Sequence, residues 1–226
     1  MTGSASVAMT AKTERELLGL VLREDGQEDL CLATYRPSTG VTRTTALISS
    51  VIPPRPGERH VHGNATITAD YILRGASIAT SEGAGLVLLH SHPGASRWQP
   101  MSGPDREAES SYATLARELT GHPLVGMTLA GGDGTWSARS WNISTGRNVD
   151  CTHAANVRVI GERLTISWND ALVPPHPPAT IARSGPSALG GTAARPTSPA
   201  AESSSSARAA SASTSPCGSP HPASDP

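Results

Sequence analysis

Large aromatic side chains are scarce in this sequence: phenylalanine is absent, and four tryptophans and three tyrosines supply the whole 3% aromatic content. Lysine is nearly absent too, with Lys12 alone among 18 basic residues. Set beside abundant Ala, Gly and Pro, that bias fits a high-GC bacterial genome better than selection for arginine chemistry. An excess of either charge is missing. The 18 basic and 19 acidic residues leave a net charge of −1 and a pI near 6.7, which excludes both a basic nucleic-acid footprint and an acidic solvating chain. Only three cysteines occur, Cys31, Cys151 and Cys217, far apart and with no C-x-x-C pair. This argues against a disulfide scaffold and a cysteine-rich metal site, and for a reducing compartment. No run approaches the ~18–20 apolar residues of a membrane span. Residues 1–12 lack the basic head and apolar core of a secretory signal. The expectation is a soluble, cytoplasmic protein.

Composition divides the chain. From Pro174 onward Ala, Ser, Pro, Gly and Thr dominate. Such a segment has too little apolar surface to offset its ordering entropy, so 174–226 is expected to be a disordered tail, with Cys217 incidental to it. Residues 1–12 are expected to be a flexible lead, leaving a folded domain over 13–173. Within it, Thr13 and Glu16 resemble a capping box that opens a helix through Leu22. Asp25-Gly26 marks a turn. Strands are expected over 28–35 and over 42–52, the latter stopped by Pro53-Pro54, with a helix over 69–80. Gly85 to Leu89 is the short continuous apolar run of a buried central strand. A helix from Ser102 through Leu119 follows, then strands over 124–129, 135–141, 157–160 and 164–168. Gly131, Gly132 and Gly134 suit the turn between the first pair of these. Strands and helices mix without strict alternation, which indicates an α+β fold.

The chemistry concentrates in His90-Ser91-His92-Pro93 and the following Ser102-Gly103-Pro104-Asp105. Residues i and i+2 of an extended chain face one side, so His90 and His92 aim both imidazoles at one point. They end a buried strand that Pro93 terminates, and Asp105 arrives on the first turn of the next helix. Two histidines and one carboxylate form the open three-ligand set of catalytic zinc. Each half also has a structural reading: H-x-H as hydrogen-bonded strand neighbours, and Ser102-x-x-Asp105 as a capping box. Their order, strand then loop then helix, favours the metal. His60-x-His62 repeats the H-x-H spacing without a following carboxylate and is kept off the ligand set. Trp98 is either a substrate wall or a loop anchor, and Trp136, Trp141 and Trp168 read as core. Signatures of other enzymes are missing, with no H-E-x-x-H, G-x-S-x-G, G-K-[ST] or P-C-x-x-C.

His90, His92, Ser102 and Asp105 resemble the signature of the JAMM (JAB1/MPN+) zinc metalloproteases. The spacing from His92 to Ser102 is two residues longer than in many eukaryotic members. The run His-Ser-His-Pro-Gly…Trp98-Gln99…Met101-Ser102…Asp105 is similar to bacterial members found beside ThiF-like adenylyltransferases. Over residues 13–173 the resemblance implies a cytidine-deaminase-like MPN/JAB domain, a curved mixed sheet with flanking helices. It implies one Zn2+ per chain on His90, His92 and Asp105. It also implies an upstream glutamate at a strand start, a place Glu28 occupies, as general base and proton shuttle to the leaving amine. Glu58 and Glu82 are the substitutes for that role. Ser102 would help hold the oxyanion. The implied activity is hydrolysis of an amide or isopeptide bond at the C-terminus of a ubiquitin-like or sulfur-carrier protein. A ThiF-like adenylyltransferase is an implied partner. Two other readings stand beside it: a non-catalytic MPN-type binding module, and a zinc amidase acting on a small molecule.

Overall fold

The computed structural model describes residues 4–62, 64–144 and 149–172. All belong to the first of two compact units, residues 1–179. The expected tail over 174–226 lies outside the described residues. The first element corrects the expectation of a flexible lead. Ser4–Thr10 form strand β1, with Ser6 through Met9 buried. β1 pairs in parallel with residues 156–160 on one side and 43–47 on the other. Its partners are remote in sequence and its own residues small, so local pattern does not reveal it.

β1 runs without a loop into helix α1, Ala11–Val21. Here the expected cap moves. Thr10, not Thr13, is the N-cap, because the last residue of a strand already has the extended backbone (φ −81°, ψ 155°) that an N-cap requires. Its Oγ1 accepts from Thr13 N–H at 3.1 Å. Strands β2 (Leu30–Thr39) and β3 (Arg43–Ile52) follow, then a small hairpin of β4 (Arg59–His62) and β5 (Asn64–Ile67). Helix α2, Ala69–Ser81, is capped by Thr68. β6 (Gly85–His92) and α3 (Gly103–Thr120) come next. β7 (Leu124–Ala130), β8 (Thr135–Ile143), β9 (Val149–His153), β10 (Asn156–Ile160) and β11 (Leu164–Trp168) complete the described chain.

Nine strands make one mixed sheet in the order β11-β10-β1-β3-β2-β6-β7-β8-β9. The architecture is therefore α+β around a mixed sheet, and the sheet curls. Trp136 on β8 donates its backbone N–H to Ser167 Oγ on β11 at 3.2 Å, although the two strands lie near opposite ends of the order. Strand alternation in β2 and β6 splits the interior in two. Cys31, Ala33, Val87 and Leu89 enter one core with Leu17 and Val21 of α1. Leu30, Leu32, Leu86 and Leu88 enter the other with Tyr71, Ile72 and Ala76 of α2 and Ala113 and Ala116 of α3. Both faces of these central strands are thus buried, which matches their near-continuous apolar sequence. Trp136 and Trp141 are core. Trp168 is not: it is 43% exposed, since β11 is an edge strand and this residue opens onto solvent. Trp98 packs against the α1-side core and anchors its loop.

Candidate metal centre

β6 carries His90 and His92 to the end of the central strand, and the residue between them does the anchoring. Ser91, fully buried on the opposite face, donates from Oγ to Val21 O at 2.6 Å and accepts from Asp29 N–H at 3.1 Å. Ser91 N–H in turn donates to Asp29 O at 3.0 Å. These bonds fasten the end of α1 and the segment before β2 to the histidine strand. Asp29 is itself held by Arg59 at 2.7 Å and Arg23 at 3.4 Å. Its neighbour Glu28 consequently stands beside the histidines, with Oε1 3.8 Å from His92 Nε2.

Asp105 enters from α3. Ser102 Oγ accepts the Asp105 N–H at 3.2 Å while the Asp105 carboxylate accepts the Ser102 N–H at 3.2 Å. The two residues therefore do form a capping box, and the same box fixes the carboxylate over the site. Asp105 Oδ2 lies 3.8 Å from His90 Nε2 and 3.7 Å from His92 Nε2. The ligating atoms of His90, His92 and Asp105 all fall within 4.8 Å of one another. Ligands about 2.0–2.2 Å from a tetrahedral ion sit roughly 3.3 Å apart, and the two Asp105 distances stand about 0.5 Å beyond that spacing. Protonation agrees. Burial holds the His90 imidazole well below the ordinary histidine range, and Arg139 adds to the effect, so its donor nitrogen is neutral and able to ligate. Burial pushes Asp105 up, but His90 and the bonds to Ser102 outweigh it and leave the carboxyl below its ordinary value. The residues present can hold a metal ion.

Glu28 is raised above its ordinary value, chiefly by burial, with Asp105 adding to the rise and His92 opposing it. The other upstream carboxylates are engaged elsewhere. Glu58 takes Arg74 at 2.5 and 2.7 Å and the Arg55 N–H at 2.6 Å. Glu82 accepts from Thr34 Oγ1 at 3.0 Å. His60 and His62 lie exposed on the β4 strand, outside the ligand group.

Sequence reasoning did not find what lies behind the site. Glu109, one turn after Asp105 on α3, is buried against Arg139 of β8. Arg139 Nε donates to Glu109 Oε2 at 2.8 Å, and Trp141 Nε1 donates to the same oxygen at 2.6 Å. A side chain at Gly126 would overlap the Glu109 carboxylate. Arg139 Nη1 also donates to Thr128 Oγ1 at 2.8 Å, and that hydroxyl meets His90 Nε2 at 3.3 Å. The i, i+4 step from Asp105 to Glu109 was the available signal, but the basic partner lies 30 residues on.

His90, His92 and Asp105 line a cleft of about 420 Å3. Leu30, Ile67, Leu88, Ala108 and Tyr112 line it too, together with Glu28 and Ser102. No family model matches the sequence, and no curated protein matches it. Among solved structures, a structural-genomics protein of Desulfitobacterium hafniense determined in solution is similar at 16% identity and a TM-score of 0.40. That alignment covers 69% of this chain and 94% of the other.

Proposed function

We propose that this chain is a zinc-dependent amide or isopeptide hydrolase of JAMM type, with an MPN/JAB domain as its folded part. One observation carries the reading: His90, His92 and Asp105 converge with a further carboxylate, Glu28, in a cleft that Leu30, Ile67 and Leu88 also line. A purely structural ion cluster has no need of the fourth group or of the cleft. Zinc in such a three-ligand set supplies Lewis acidity and a water activated at neutral pH.

The chain's own residues do the rest. Glu28 takes a proton as water attacks the carbonyl carbon, and returns it to the departing nitrogen as the C–N bond breaks. Ser102 Oγ spends a lone pair on the Asp105 N–H, which leaves its own hydrogen to donate to the carbonyl oxygen as negative charge develops there. A cleft of about 420 Å3 lined by Leu30, Ile67 and Leu88 has room for a short extended segment and not for a folded surface. This favours the C-terminus of a ubiquitin-like or sulfur-carrier protein as substrate. A ThiF-like adenylyltransferase is the partner class that fits it, and the cytoplasm the compartment. Among the described residues no helix is long and apolar enough to cross a membrane.

Glu28→Gln tests the reading. The variant should keep its zinc yet release an amine from the C-terminal glycine of a ubiquitin-like protein about 10²–10⁴-fold more slowly than wild type. Near-normal turnover by the variant contradicts the assignment of Glu28. A zinc-loaded wild type that cleaves no protein-tail amide contradicts the substrate class.

A further inference from the structure

We infer that Gln99 is a positioning residue that fixes which nitrogen His92 offers to the metal; this rests on the zinc reading above. A neutral imidazole carries one ring proton, and the partner of one nitrogen decides whether the other is a ligand. The acidic groups gather at Nε2 of His92, Asp105 at 3.7 Å and Glu28 at 3.8 Å. On the far side of the ring, Nδ1 faces Gln99 Oε1 at 3.4 Å.

An amide can present oxygen or nitrogen to a neighbour, and its remaining bonds determine which. Gln99 Nε2 donates to Ser96 O at 2.8 Å and to Arg97 O at 3.0 Å. Both partners are carbonyls and can only accept. Turning the amide over would face those two oxygens with a third. Oε1 therefore points at His92 and accepts, so Nδ1 carries the ring proton and the Nε2 lone pair faces Asp105 and Glu28.

The loop that delivers Gln99 is built to hold it there. Gln99 N–H donates to Ser137 Oγ of β8 at 2.6 Å. Trp98 packs on the core beneath. Arg97 adopts a left-handed backbone (φ 67°), and its N–H is taken by Asp133 at 2.8 Å. A non-glycine residue in that region is strained and persists only when its surroundings impose it. The imposed turn brings Ser96 O and Arg97 O round to the Gln99 amide. Ser137 and Asp133 belong to β8 and the turn before it, so the β7–β8 region sets the orientation of a ligand on β6.

Zinc affinity, measured by competition with a chromophoric chelator, and the ring-proton position of His92 together separate this role from simple loop anchoring. Gln99→Leu removes the acceptor and should weaken zinc binding by about 10- to 100-fold. The same variant should move the His92 ring proton to Nε2, beside Asp105 and Glu28, in the zinc-free protein, a shift that loss of loop anchoring alone would not produce. If Gln99→Leu binds zinc as wild type does, or keeps the His92 ring proton on Nδ1 in the zinc-free protein, the inference is overturned. Nitrogen-15 spectra of the zinc-loaded wild type need no variant: the His92 ring proton should reside on Nδ1, and a proton on Nε2 overturns the inference. A wild type that takes up no zinc defeats the metal reading itself, an outcome distinct from the others.

Discussion

Cutting the buried pair behind the site should remove a large share of the domain's stability. Glu109 and Arg139 are 1% and 2% exposed, and the glutamate takes two guanidinium bonds as well as the Trp141 N–H. In Glu109→Ala the guanidinium stays in the core with no anion, and the indole N–H loses its acceptor. Breaking one side of a buried pair costs about 3–5 kcal/mol, against about 5–15 kcal/mol for a whole domain. With a urea slope of about 2 kcal/mol per molar, the midpoint should fall by roughly 1.5–2.5 M. Gly126→Ala reaches the same carboxylate by another route, since the new methyl would overlap it. The two changes should therefore not add. Gly126→Ala should cost less in the Glu109→Ala background, with a coupling of about 0.5–3 kcal/mol. The assay is equilibrium urea unfolding of the four proteins followed by tryptophan fluorescence. A Glu109→Ala midpoint within about 0.5 M of wild type, or strict additivity with Gly126→Ala, would refute the reasoning.

Ser91→Ala should separate the two sides of the site. It removes the bonds to Val21 O and Asp29 N–H, so stability should drop by about 1–3 kcal/mol. Glu28 should lose its fixed place while His90, His92 and Asp105 keep their zinc, and turnover falling with full zinc content is the result to look for. A second expectation concerns acid. Arg74 holds the Glu58 carboxyl at about 2, against an ordinary 4.5. A depressed carboxyl stabilises the fold fully above pH 4.5, and that contribution is lost as pH falls toward 2. Glu58→Gln should accordingly unfold more easily than wild type above pH 4.5, with the two thermal midpoints converging toward pH 2. A gap that stays constant across that range would argue against the pair.

What the sequence made legible follows a physical divide. The apolar run Gly85 to Leu89 announced a strand buried on both faces, and β6 is one. Ser102, Gly103, Pro104 and Asp105 announced a helix start, and α3 begins there with its capping box. The convergence of His90, His92 and Asp105 was readable because they lie on two adjacent elements, within 16 residues of each other. Features whose cause is remote were not readable. β1 exists because residues 43–47 and 156–160 flank it; alone, its Ala and Ser carry little strand signal. Glu109 is a core anion only because Arg139 reaches it from β8. Trp168 shows the converse, a large apolar residue that strand pattern assigns to the core and edge position leaves 43% exposed. Glu28, placed by analogy of position, does stand beside His92 because Asp29 and Ser91 tie the strands together, bonds that no local pattern encodes.

The most direct test is metal content. After dialysis against a mild chelator, wild-type protein should retain one zinc per chain, and His92→Ala should retain almost none while keeping its folded far-UV spectrum. A metal-free wild type, or a full equivalent of zinc in His92→Ala, would contradict the assignment of His90, His92 and Asp105 as the metal centre.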